Sequence, residues 1–359
     1  MQKKLIALAV AGAMVVPAVS MAADTEFYGK IRISAAAISN NDDTDGNDES
    51  AIQVNSHSSR VGFKGSEDLD NGMKAIFQVE SQIDIDDTSE DDEGNVKSDG
   101  GKGDFSAKLR NTFVGLSGGF GTVVLGRHDT PYKMAAKKAD IFADTHADYN
   151  SVIQLDNRIN NVIAYVAPDM GNFGGAIAYV TSLSGDDLPD DNNDADTASV
   201  SLMVNFKAGD LKAYLAYESL GEIGVDGDDI EGLKLGVLYG MGGTNLALVW
   251  EELDVGGDDG DSSNIYVSAK HKVGGGWTAK LALGQVGEVG DADNGAFFFA
   301  IGAAKAMSKN TEVYALYTSM DNDDDANRKL KGGVANDDSG AGEAVSALAI
   351  GINHKFSSK

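Results

Sequence analysis

The sequence predicts an all-β chain, a transmembrane antiparallel β-barrel of 16 strands. Three observations carry this. A secretory leader is followed by no further apolar span. Sixteen stretches alternate between apolar and polar residues. The connectors between them are tight and long by turns.

The leader comes first. Met1-Gln2-Lys3-Lys4 is followed by the apolar run LIALAVAGAMVVPAV, then by Ser20-Met21-Ala22-Ala23 with small residues where a signal peptidase reads them. This pattern predicts a signal peptide over residues 1–22, cleavage after Ala22, and a single barrel domain over 23–359. The run is too short for a retained span, and nothing later is long and apolar enough to cross a bilayer as a helix. A mature chain in a membrane must therefore cross it as strands.

The totals exclude several function classes. A net charge of −27 argues against binding nucleic acid, whose phosphates would repel it. The absence of Cys removes disulfides, thiolate metal sites and thiol catalysis.

Beyond residue 26, period-2 alternation marks strands at about 26–38, 51–65, 72–85, 105–117, 121–128, 157–167, 173–183 and 197–207. It continues at 211–220, 230–241, 243–254, 264–273, 276–287, 295–307, 310–320 and 344–356. Tight connectors are rich in Gly, Asn and Asp, as in Ser117-Gly118-Gly119-Phe120, Asp169-Met170-Gly171-Asn172 and Met241-Gly242. Between them run long acidic segments such as NNDDTDGNDES and GDDLPDDNNDAD, which hold most of the acid. The first fails the EF-hand spacing, because Ile52 falls where the last carboxylate is required. No specific metal site is predicted.

The strands also predict which face is wet. Phe27, Gly29, Ile31 and Ile33 alternate with Tyr28, Lys30, Arg32 and Ser34. In SAKLRNTFVGL, Lys108, Arg110 and Thr112 are expected to oppose Leu109, Asn111 and Phe113. Asn264, Tyr266, Ser268 and Lys270 oppose Ile265, Val267 and Ala269. Unpaired charges cannot line a dry core. In lipid only a closed barrel satisfies every backbone donor and acceptor, so the polar faces are expected to line water.

Three blocks, SRVGFKGSEDLDNGMKAIFQVE, RNTFVGLSGGFGTVVLGRHDTPYK and NRINNVIAYVAPDMGNFGGAIAYV, resemble the general porins of Gram-negative outer membranes over essentially the whole mature chain. The resemblance implies an outer-membrane homotrimer passing small hydrophilic solutes and ions, with no cofactor. It also implies a third outer loop that folds into each barrel as an eyelet. The basic wall of that eyelet maps onto Arg60, Arg110 and Arg158, with Lys30 matching a further lining residue. Arg32 shares the face of Lys30, and strand phase adds Lys64 and Lys74. The constriction loop would be residues 129–156, with Asp140 and Asp144 as its acidic pair and Asp148 a third candidate. Their spacing of four would align them if PYKMAAKKADIFADTHADY held a helix; interleaved Lys133, Lys137 and Lys138 offer competing partners. Outer-membrane lipid, and assembly machinery reading the C-terminal strand, are the implied partners. One departure stands out: Phe356, in place of the usual terminal aromatic, is followed by Ser357-Ser358-Lys359.

Two other classes are alternatives. A barrel hydrolase needs a nucleophile and a positioned His, yet none of the five His (His57, His128, His146, His271, His354) lies in a G-x-S-x-G or H-E-x-x-H setting. A structural or adhesive barrel would not conduct. Gly101-Lys102-Gly103 lacks the strand–helix frame of a phosphate loop, and Phe297-Phe298-Phe299 reads as an interfacial aromatic girdle.

Overall fold

A computed structural model of the chain describes residues 24–41, 49–85, 89–90, 96–97, 107–182, 197–257, 260–290, 292–331 and 341–359. The predicted leader and its cleavage site, much of the acidic loops, and Gly101-Lys102-Gly103 lie outside the described residues.

The first half of the wall is built from β1 (Asp24–Asn41), β2 (Glu49–Ser56 continued by Arg60–Asp68), β3 (Lys74–Ile83), β4 (Ala107–Gly118), β5 (Gly121–Asp129), β6 (Arg158–Val166), β7 (Phe173–Val180) and β8 (Ser199–Ala208). The second half is β9 (Leu211–Leu220), β10 (Ile230–Met241), β11 (Thr244–Asp254), β12 (Asp261–Gly274), β13 (Trp277–Val286), β14 (Ala296–Ala306), β15 (Thr311–Asn322) and β16 (Ala344–Ser357). Each pairs antiparallel with its neighbours in sequence, and β1 pairs with β16 from Tyr28↔Ser357 to Asn41↔Ala344, closing the ring. Sixteen strands and their order match the period-2 reading. The tight turns share one end with Asp24 and Lys359. In the β12–β13 hairpin Gly275 and Gly276 take φ of 55° and 82°, a conformation that only Gly adopts freely.

The solvent pattern is inverted relative to a soluble protein. Ile350 is 68% exposed and Leu348 58%, whereas Lys234, Glu218 and Glu251 are fully buried. Phe63 is 48% exposed on the outside. At the short-turn end the Phe27 ring meets Phe63 at 5.1 Å and Phe356 at 5.7 Å, part of an outward aromatic band. Gly29 makes room for this, since a Cβ there would fall 2.2 Å from the Phe356 ring. The Phe297–Phe299 girdle holds only in part: Phe297 faces out, but Phe298 is fully buried inside beside Tyr266.

Besides a register shift between Lys272 and Gly274 next to the β12–β13 turn, three irregularities interrupt the ladders among the described residues. Between Lys30↔Arg60 and Ile33↔Ser56, the two β1 residues oppose His57, Ser58 and Ser59, one residue too many. Ser59 Oγ takes over the ladder by accepting from the Arg32 N–H and donating to its carbonyl, both at 3.0 Å. In β4, Arg110 and Asn111 together oppose Glu80; in β6, Asn160 and Asn161 oppose Arg127. Each extra residue shifts the alternation. The expected β4 faces are therefore corrected. Leu109 points out, but so do Val114 and Leu116 five and seven residues later. Asn111 and Phe113 join Arg110 on the inside.

The interior is also less uniformly polar than the sequence suggests. The chain between β5 and β6 enters the barrel and packs on a stripe of small residues. Its Phe142, Ala147, Val152 and Ile153 are buried against Val249, Ala282, Ala300 and Leu316. Tyr132, Ala135 and Leu155 pack on Ala164, Ala178 and Ala216. Small side chains at these inward positions let the loop lie close to the wall, and at Gly236 even a methyl group would meet the Ala136 Cβ at 2.4 Å.

Candidate functional site

The inner loop opens with one helical turn, α1 (Pro131–Met134), started by Thr130, whose side chain accepts the Lys133 N–H at 3.2 Å, and by Pro131 at the first position. Beyond it the chain is not the longer helix considered from the sequence. Ala136 and Asp144 take left-handed φ of 58° and 52°, and only short 3₁₀ turns follow at Lys137–Ala139 and Tyr149–Ser151. Asp140, Asp144 and Asp148 therefore do not share a helical face.

Of the three, only Asp144 meets the barrel's basic wall. Its Oδ2 lies 2.8 Å from Arg32, 3.4 Å from Arg60 and 3.7 Å from Lys30. Arg32 also donates to the carbonyls of Ala143 and Asp144. Burial alone would raise the Asp144 carboxyl, but Arg32, Arg60 and Lys30 outweigh it and hold the group down at about 2. A carboxyl held below its usual 3.8 stabilises this contact above that pH and releases it as the pH falls through the folded value. The clasp is thus expected to persist from neutrality down to about pH 4 and to be lost toward pH 2. Single-channel current recorded across that range checks this; a transition centred above pH 5 would assign the titration to another group.

Asp148 shapes the loop instead, accepting the N–H groups of Asp144 at 2.7 Å and Asn150 at 3.0 Å. Asp140 accepts the Phe142 N–H at 3.1 Å. Burial pushes both carboxyls up, aided at Asp140 by the neighbouring acids. The competing lysines go elsewhere: Lys133 to Asp156 and Lys137 to Asp129, each at 2.8 Å.

The other basic residues divide into two groups. Arg110 pairs with Glu80 at 2.8 Å, and Glu80 also accepts the Tyr28 hydroxyl at 2.9 Å. Arg158 pairs with Asp129 at 2.8 Å and donates to Asn111. Arg60, Arg110 and Arg158 each stand at or within two residues of a strand irregularity, where a bulge re-aims side chains inward. Lys64 and Lys74 are not brought to Asp144. Lys64 is half exposed beside Glu26, and Lys74, next to the short β2–β3 turn, pairs with Asp68.

The opposite side of the loop is held by a buried network that sequence reasoning missed. Glu251 accepts the Tyr132 hydroxyl at 3.0 Å and the Gln154 N–H at 2.7 Å. Lys234 lies 3.6 Å from Glu251, donates to the Leu155 carbonyl and sits 4.0 Å over the Tyr132 ring. Glu218 accepts from Asn157, Ser201 accepts the Tyr132 N–H, and Ser268 donates to the Ala139 carbonyl. A signal for this existed: Lys234 and Glu251 are directly paired on β10 and β11. Of the two histidines flanking the loop, His128 turns to the Asp129 carbonyl, while buried His146 stands edge-on to His57 at 4.6 Å.

Known proteins bear on this geometry. The family model described as Gram-negative porin matches residues 7–325. Outer membrane porin protein 32 of Delftia acidovorans is 28% identical over 383 residues, taking in 99% of this chain and 100% of that protein. Major outer membrane protein P.IB of Neisseria gonorrhoeae is 29% identical over 232 residues, 62% of this chain and 59% of the relative. Among solved structures, the anion-selective porin from Comamonas acidovorans superposes with a TM-score of 0.74 at 25% identity, covering 93% of this chain and 100% of that one. OmpT of Vibrio cholerae shares the fold at 18% identity and a TM-score of 0.63, covering 94% and 99%. These relatives are channels and not enzymes, which removes the hydrolase alternative. An inside-out sixteen-stranded ring with a wet bore, matched along nearly its whole length, places the chain in the family of Gram-negative porins, as a channel of the outer membrane.

Proposed function

We propose that the inner loop forms the channel's eyelet, with Asp144 facing Lys30, Arg32 and Arg60, and with Arg110 and Arg158 extending the basic wall. The observation that carries this is the convergence of three wall cations on one loop carboxylate. Glu80 and Asp129 are each matched by an arginine, and Asp144 faces three cations, so positive charge is left in excess at the narrowing. A field across a low-dielectric constriction sorts ions and orients neutral polar solutes. We therefore propose a preference for anions, the selectivity by which the Comamonas acidovorans porin is described. The channel acts as a homotrimer, a form recorded for a solved OmpT of Vibrio cholerae. It is delivered by its cleaved leader, sits in outer-membrane lipid, and is received by the assembly machinery through β16. Recording reversal potential in a planar bilayer under a salt gradient tests the eyelet. Replacing Arg60, Arg110 and Arg158 together with Gln is expected to move the potential toward cations. An unchanged potential would remove them from the constriction.

A further inference from the structure

On the short-turn side of the loop, with Arg32 of the basic wall in its lining, the lumen holds a cavity of about 310 Å³. Three of its lining residues are Lys270 and Lys272 of β12 and Lys280 of β13. Lys270 and Lys280 are directly paired across the two strands. Like charges set opposite each other weaken a ladder, and that cost is removed when an anion sits between them. Among the described residues none of the three lysines has a carboxylate within 4.0 Å, whereas every arginine of the proposed eyelet has one. Lys280 instead rests 5.6 Å from the Phe142 ring of the loop. Two carboxylates, Asp140 and Glu312, share the cavity wall, and Arg32, its fourth cation, is engaged by Asp144. The wall thus keeps a cationic surplus made of lysines.

We propose that Lys270 and Lys280, assisted by Lys272, form an anion-binding subsite beneath the loop for a small divalent oxyanion. Directly paired residues have backbones about 5 Å apart, so both flexible ammonium groups reach one small ion. The eyelet arginines are locked in fixed pairs, and the lysines are free to follow a moving solute. An anion leaving the narrowing toward the short-turn side meets these lysines next. This inference rests on the channel reading and extends it to a second station along the same path.

The test uses the full-length protein in planar bilayers, with inorganic phosphate added to potassium chloride on the short-turn side. Phosphate is expected to reduce the chloride current in a saturable way. The double variant Lys270→Gln/Lys280→Gln is expected to need roughly tenfold more phosphate for the same block, while Lys270→Arg/Lys280→Arg and Lys305→Gln, whose ammonium lies over Trp277, keep it. Equal block in the wild type and the double Gln variant, or no block in a conducting wild type, overturns the subsite. A wild-type protein that forms no conducting pore would instead overturn the channel reading itself.

Discussion

Replacing Glu251 with Ala is expected to free the inner loop from the wall, so that single-channel conductance rises and the open current becomes noisy. The reason is local. Glu251 is fully buried and receives the Tyr132 hydroxyl, the Gln154 N–H and the charge of Lys234. Its removal leaves Lys234 as a buried, uncompensated cation, which costs roughly 3–5 kcal/mol when one partner of such a pair is truncated. The wall does not depend on the contact, because the β10–β11 ladder runs from Glu231↔Asp254 to Met241↔Thr244 through backbone bonds. The cost is therefore relieved by letting the loop swing away and water reach Lys234. Changing Lys234 and Glu251 together to Met should restore a quiet current, since it removes both charges and keeps the volume. Conductance and noise equal to wild type in Glu251→Ala would show that the loop is held without Glu251, by its remaining contacts with the wall.

Replacing Asp144 with Asn is expected to produce the largest gain in anion preference. The carboxylate stands within 4.0 Å of three cations, and neutralising it leaves Lys30, Arg32 and Arg60 facing one another without a counter-charge. The side chain keeps its size, so selectivity changes before stability does. The expected signature is a reversal potential shifted toward the anion limit, in the direction opposite to the triple arginine variant. Added salt should shrink both shifts as screening shortens to about 3 Å at 1 M. A shift toward cations in Asp144→Asn would mean that the loop tip had left the wall and taken the cations out of play.

The wall was legible in the residues because a strand reveals itself locally: Ile265, Val267 and Ala269 against Asn264, Tyr266 and Ser268 is a pattern contained in one segment. The bulges at Arg110-Asn111 and Asn160-Asn161 were not, since a bulge exists only in relation to the partner strand's register. That is why Thr112 and Phe113 changed faces. The loop's dry underside escaped for a related reason. Ala178, Ala216 and Ala300 are as compatible with a water-lined wall as with a packed one until Leu155, Tyr132 or Phe142 arrives. The arginines were recognisable through resemblance, yet their carboxylate partners Glu80 and Asp129 come from other strands, whose alignment one sequence does not contain.

The seam between β1 and β16 has a consequence for how the molecule is made. Ser357 donates to Glu26 at 2.7 Å, Ser358 exchanges hydrogen bonds with Phe27, and Lys359 reaches Asp24. The residues that follow Phe356 thus act as a zip tab, and among the described residues they form the bonds with the greatest separation along the polymer. The 28 residues paired across the seam, 28–41 with 344–357, can join only once the strands between them exist, so closing the ring carries the largest loop-closure entropy of any pairing in the wall. Until then every half-built sheet carries two unsatisfied margins.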